Sequence, residues 1–166
     1  MKRAIQMVGV LVLLALAFFT YRVLFPDDTV VIENLLNEMA AEASFQGEEA
    51  PLAKVSKAGK LAGYFTVDAR ITVKPFGYRQ VMLNGRPEIR EAAIAARSTV
   101  SSLAINVERV EVTVSDDRST ASVVMGATVT SSRQEGVWNQ VFDLEMRRIE
   151  GDWLIHRVEN REFIKQ

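Results

Sequence analysis

The C-terminal half of the chain alternates apolar and polar residues with a period of two. Four such segments cover residues 105–115, 120–130, 138–149 and 153–164. Alternation in sequence rich in Val, Ile, Thr and aromatic residues is typical of β-strands that bury one face. Because only short turn-forming sequences separate the segments, consecutive strands should pair antiparallel. The pattern therefore predicts a four-stranded meander.

The residues before the meander show mainly helical periodicity. Residues 29–45 place apolar side chains at helical spacing, and Asp28 is the predicted N-cap. Pro51 begins a shorter predicted helix, and a third covers residues 88–101. Residues 64–73 and 78–83 predict two further strands. This order predicts an α+β fold, with three helices covering one face of a mostly antiparallel sheet.

The chain begins with an apolar run that predicts a transmembrane helix. Residues 4–25 would span about 33 Å as a helix, enough for a hydrocarbon layer of about 30 Å. Lys2 and Arg3 precede the run and Asp27 follows it, so the positive-inside rule places the N-terminus in the cytoplasm. The predicted organisation is a cytoplasmic tail at 1–3, a membrane anchor at 4–25 and an extracytoplasmic domain at 27–166. The domain would be periplasmic in a bacterium.

Two other interpretations of this run remain open. The small residues around Ala15 and Ala17 fit a signal peptide cleaved after Ala17. The run could also be a buried helix of the domain core. The anchor is favoured because apolar residues continue to Phe25, beyond the cleavage site, and because the run has no polar face.

Composition excludes several kinds of site. Twenty basic and 21 acidic residues leave a net charge of −1, which argues against a nucleic-acid partner. The absence of cysteine excludes a disulfide, a thiolate metal site and a cysteine nucleophile. A single histidine excludes a histidine-cluster zinc site. There is also no glycine-rich phosphate loop, and we predict neither a metal nor another cofactor.

Three local sequences add to the element order: residues 64–69 at the first strand, 85–90 at the third helix and 147–155 at the last hairpin. Together they make residues 28–164 similar to the nuclear transport factor 2-like superfamily, which includes polyketide cyclase and ketosteroid isomerase-like proteins. The resemblance implies a cone fold with a curved sheet. Since this fold is shared by isomerases, dehydratases, cyclases, ligand binders and structural domains, function must be argued from the site.

The catalytic residues of the isomerase branch have no counterpart here. Ketosteroid isomerases place a catalytic Asp directly before Pro-x-Gly at the end of the first strand. This chain has Lys74 before Pro75-Phe76-Gly77, and residues 29–45 contain no tyrosine to match the one on the family's first helix. We therefore predict no catalytic residue and interpret Asp68 as a solvated or turn-capping carboxylate.

The register of the last hairpin decides which way His156 faces. A three-residue loop at 150–152 would place His156 opposite Met146 on the covered face, with an outward Glu145–Arg157 ion pair. A two-residue loop would place Arg157 and Glu159 on the covered face, where unpaired charge is costly. We therefore predict the three-residue loop.

In that register His156, Gln140 and Asn160 point into the cone and are the candidate ligand-pocket residues. The alternative is that they form only local hydrogen bonds. No carboxylate is predicted on their face, so the sequence does not support an acid–base pair.

These observations favour a single-pass, membrane-anchored, non-catalytic binding or interaction module outside the cytoplasm. Its partner would be a small apolar ligand, another protein or a second copy in a homodimer. One alternative is a small-molecule isomerase, cyclase or dehydratase that uses His156. Another is a structural component of a membrane assembly, since type IV secretion complexes contain an anchored component whose domain has this fold.

Overall fold

The computed structural model describes residues 27–74 and 79–161. The predicted anchor at 4–25 lies outside these ranges. Within them, no helix is long and apolar enough to cross a membrane.

Three helices and seven strands follow one another in the two described ranges. They are α1 Asp28–Ala43, β1 Phe45–Gln46, α2 Pro51–Gly63, β2 Phe65–Val73, β3 Val81–Asn84, α3 Gly85–Thr99, β4 Ser102–Val114, β5 Thr120–Ser131, β6 Gln134–Ile149 and β7 Asp152–Asn160. The predicted helices and strands are confirmed, with ends shifted by a few residues. The two-residue strand β1 was not predicted, since Phe45 had been placed at the end of the first helix.

The strands form one sheet in the order β1-β4-β5-β6-β7-β2-β3. Strands β4 to β7 are the predicted antiparallel meander. Strand β2 joins the meander by pairing parallel to β7, and β3 pairs antiparallel to β2. The helices and the curved sheet together form the predicted α+β cone.

The core lies between the helices and one face of the sheet. Its largest fully buried apolar side chains come from α1 and from alternate positions of the meander: Ile32, Leu36, Val123, Met146 and Ile155. Alternation decides which side chains enter it, since Leu144 is buried whereas Glu145 is exposed. The predicted covered face of β6 is therefore correct.

The predicted three-residue loop between β6 and β7 is wrong. Ile149 pairs with Asp152, which leaves a two-residue turn of Glu150 and Gly151. Both turn residues have positive φ, 54° and 99°, as expected of a type I′ hairpin turn. This turn places Ile155, not His156, opposite Met146.

A β-bulge lets this shorter turn coexist with an outward Arg157. The register shifts between Glu145 and Met146, so that His156 is the extra residue of β7 and Arg157 pairs with Glu145. The predicted ion pair is confirmed, with 3.7 Å between Arg157 Nη1 and Glu145 Oε1. Neither of the two loop lengths predicted from the sequence includes this bulge.

The beginning of α1 differs by one residue from the prediction. Asp27, not Asp28, is the N-cap, and its Oδ1 accepts a hydrogen bond of 3.0 Å from the Thr29 amide. Asp28 is instead buried in the first turn, where its carboxylate contacts Arg118, Arg148 and Trp153.

Candidate functional site

An apolar cavity of about 290 Å³ lies between the helices and the sheet. All three helices and strands β2 to β7 contribute to its lining. Representative lining residues are Met39, Leu61, Ile71, Leu83, Ala93 and Phe142.

Alanines in the lining explain why space remains inside an otherwise closely packed fold. Ala40 and Ala43 on α1, Ala92 and Ala93 on α3, and Ala127 on β5 all line the cavity. Protein interiors normally fill such space with longer side chains. Here the two helices keep their apolar faces toward the sheet but leave a gap in front of it.

The cavity lining carries no hydrogen-bonding or titratable side chain. All of its described residues are alanine, valine, leucine, isoleucine, methionine or phenylalanine. In the described ranges, no buried side-chain nitrogen or oxygen lacks a hydrogen-bond partner. The lining can therefore solvate hydrocarbon, whereas a charged group placed there would lose its hydration without compensation.

Two of the three predicted pocket residues, Gln140 and Asn160, lie together at the edge of this cavity. Asn160 Nδ2 donates a hydrogen bond of 3.0 Å to Gln140 Oε1. Their cross-strand partners, Ala127 and Phe142, both line the cavity. Asn160 also binds the main chain of Lys74 at the end of β2, accepting from its N–H at 2.8 Å and donating to its C=O at 3.0 Å.

His156, the third predicted pocket residue, contacts β2 and has no described contact with Gln140 or Asn160. Its Nδ1 lies 3.2 Å from Thr66 Oγ1 and 3.6 Å from Asp68 Oδ1, both on β2. Here the register between β2 and β7 shifts, with residues 66–69 opposite His156 alone. The expectation that no carboxylate lies near His156 is therefore wrong. The predicted solvation of Asp68 is correct, since its side chain is 63% exposed.

The contacts around His156 do not form a nucleophilic relay. In such a relay the carboxylate and the nucleophile contact opposite ring nitrogens, whereas Thr66 and Asp68 both approach Nδ1. The Thr66 side chain is also fully buried. A hydrogen bond from Thr66 lowers the pKa of Asp68, with smaller contributions from the charges of His156 and Arg147. The group joins β2 to β7 and stands apart from the cavity lining.

Several solved structures are similar to this fold. A candidate scytalone dehydratase from Novosphingobium aromaticivorans has a TM-score of 0.63 at 12% identity, covering 81% of this chain and 83% of its own. A nuclear transport factor 2-like protein with a cystatin-like fold from that species has a TM-score of 0.57 at 21% identity, with coverages of 81% and 83%. The hexachlorocyclohexane dehydrochlorinase LinA-type3 from Novosphingobium barchaimii has a TM-score of 0.59 at 13% identity, with coverages of 80% and 84%.

At these identities the likeness establishes the fold alone. The chain has the α+β cone fold of the nuclear transport factor 2-like proteins, as the sequence resemblance predicted. No protein-family model matches the sequence, and no curated protein matches it.

Proposed function

We propose that this protein is a non-catalytic binding module that holds a small neutral apolar ligand in the cavity between the helices and the sheet. The observation that carries the proposal is a space of about 290 Å³ whose lining, among the residues that the structure describes, is wholly apolar. Ligand pockets begin at about 300 Å³, and an apolar cavity of about 150 Å³ holds benzene. By that scale, roughly twelve carbon atoms would fill this cavity, and a larger ligand would extend through its open side.

A catalytic role is the alternative suggested by the names of two similar structures, a dehydratase and a dehydrochlorinase. Proton transfer at a bound substrate needs a titratable group within hydrogen-bond reach of the reacting atom. The described lining contains none, and the described contacts of His156 are with β2. These observations support binding over catalysis.

Filling the cavity from α3 tests the binding proposal. Ala93 lines the cavity, whereas Ala95, on the same helix, is exposed. The neutral fluorophore N-phenyl-1-naphthylamine would be titrated into wild type, Ala93→Phe and Ala95→Phe. We expect saturable fluorescence enhancement in wild type, at least about tenfold weaker binding in Ala93→Phe, and wild-type binding in Ala95→Phe.

Thermal melts would show that both variants fold before their binding is compared. Equal affinity for the fluorophore in wild type and in a folded Ala93→Phe would contradict the proposal, because the bulky ring would then leave the binding site untouched. Weakened binding in Ala95→Phe would point to a surface site instead.

We further propose that residues 4–25 anchor this domain to a membrane, with the domain outside the cytoplasm. The apolar run and its flanking charges support this placement. A reporter enzyme fused after Gln166 should be active only outside the cytoplasm, and the full chain should fractionate with membranes. A mature N-terminus at Phe18 would identify a cleaved signal peptide and overturn the anchor.

A further inference from the structure

The main chain of Lys74 fixes the orientation of the Asn160 amide at the cavity edge. The Lys74 N–H can only donate, so it must contact the Asn160 oxygen. The Lys74 C=O can only accept, so it must contact the Asn160 nitrogen. The two distances, 2.8 Å and 3.0 Å, fit this arrangement. The identity of each Asn160 amide atom therefore follows from hydrogen bonding.

This orientation in turn fixes the Gln140 amide. Asn160 Nδ2 is a donor, so the atom of Gln140 that it contacts at 3.0 Å must be the oxygen, Oε1. The Gln140 nitrogen, Nε2, takes no part in this contact, and it carries two N–H groups. No residue of the two described ranges accepts a hydrogen bond from it.

The register places the Gln140 side chain on the sheet face that lines the cavity. Ala127, its cross-strand partner, and Phe142, two residues further along β6, both line the cavity. Trp138 lies on the same face of β6, but its indole nitrogen lies toward Gly136, where an added Cβ would be 4.0 Å away. Gln140 Nε2 is therefore the donor suited to reach a ligand in the cavity.

We propose that Gln140 selects neutral ligands that carry a hydrogen-bond acceptor, such as a ketone, ester or ether oxygen, at one end of an apolar body. This inference rests on the proposed function and specifies the ligand class of the same cavity. The apolar body would occupy the space between α1, α3 and the sheet, and the oxygen would accept from Gln140 Nε2. The Gln140–Asn160–Lys74 chain of hydrogen bonds would hold the donor in place.

The test compares decane with 2-decanone by displacement of N-phenyl-1-naphthylamine. Gln140→Glu keeps an oxygen that can accept from Asn160, replaces the N–H donors with a second carboxylate oxygen, and adds one negative charge. The charge control is Asn139→Asp, because Asn139 is exposed on the opposite face of β6. Thr128 Oγ1 contacts both Asn139 Oδ1 and Glu108 Oε1, so the new charge lies near a carboxylate, and a thermal melt would show that the variant folds.

We expect the ratio of ketone affinity to alkane affinity to be about threefold to tenfold higher in wild type and Asn139→Asp than in Gln140→Glu, the range for one net hydrogen bond. The readout is the ratio of the two affinities, which a general loss of stability would not change. Gln140→Met, of similar length and without a donor, would replace Gln140→Glu if that variant does not fold.

An unchanged ratio of ketone affinity to alkane affinity in a folded Gln140→Glu or Gln140→Met would overturn the role of Gln140 while leaving the proposed function intact. Failure of both molecules to displace the fluorophore from wild type would instead overturn the apolar binding site itself.

Discussion

Asp28 is a buried carboxylate that joins the beginning of α1 to both hairpins at one end of the sheet. It accepts hydrogen bonds from Arg118 Nε at 2.5 Å, Trp153 Nε1 at 3.2 Å and Arg148 Nη1 at 3.3 Å. The hydrogen bond from Arg118 lowers the pKa of Asp28 against the effect of burial, and Trp153 and Arg148 lower it further. The folded protein therefore holds this carboxylate in its charged form.

Substitution of adjacent aspartates should separate this interaction from helix capping. Asp28→Ala removes a buried carboxylate that accepts from Arg118, Arg148 and the buried Trp153 indole, and should lower the free energy of unfolding by about 3 kcal/mol at pH 7. Asp27→Ala removes only an exposed N-cap and should cost about 1 kcal/mol. Urea unfolding would measure both, and equal losses would contradict the role of Asp28.

The lowered pKa of Asp28 predicts that its contribution to stability depends on pH. Because the pKa of Asp28 is lower in the folded state, its stabilisation is present above the unfolded value of about 3.9 and is lost as pH falls through the folded value. The difference in stability between wild type and Asp28→Ala should therefore narrow below about pH 4. A difference that stayed constant from pH 7 to pH 2.5 would show that the charge of Asp28 contributes nothing.

Strands and helices of this chain are predictable from sequence because each has its own periodicity. Val123 and Met146 enter the core simply because they occupy alternate positions of half-buried strands. The bulge in β7 shifts the alternation by one residue, so that buried Trp153 and Ile155 are followed by buried Val158. In so short a strand this single shift is a weaker signal than a sustained period. His156 occupies this bulge, which is why it does not lie opposite Met146 as predicted.

Part of the candidate site was predictable from the alternation of strand residues. Gln140 and Asn160 lie on strand positions whose inward face follows from alternation, and both reach the cavity edge. The cavity itself depends on alanines such as Ala43, Ala93 and Ala127, contributed by two helices and a strand. Each alanine is unremarkable in its own element, so only the packed arrangement shows the space.

The hairpin between β6 and β7 gives a test at the level of the element. Gly151→Ala and Gly59→Ala place the same methyl group where no atom lies within 4 Å, but Gly151 has φ +99° and Gly59 is in the interior of α2. Gly151→Ala should destabilise the fold by about 1 kcal/mol or more, whereas Gly59→Ala should stabilise it by up to about 1 kcal/mol. Chemical denaturation would compare them, and effects of the same sign would argue against the two-residue turn.

At the scale of the whole molecule, the cone encloses a space that its own side chains leave unfilled. Met125, Leu144 and Val158 on the sheet face α1 and α3 across it. Water inside this apolar lining would find few hydrogen-bond partners, so an apolar ligand can displace it at little cost. The affinity of a hydrocarbon for it comes from removing the ligand's apolar surface from water.

A crystal structure of the domain under xenon pressure tests this account most directly, since xenon enters dry apolar cavities without any specific contact. We predict xenon beside Phe142 and Leu83 in wild type, and none there in Ala93→Phe. Ordered water filling the wild-type cavity, or a collapsed core without space for xenon, would contradict the central claim that this fold is built around an apolar binding site.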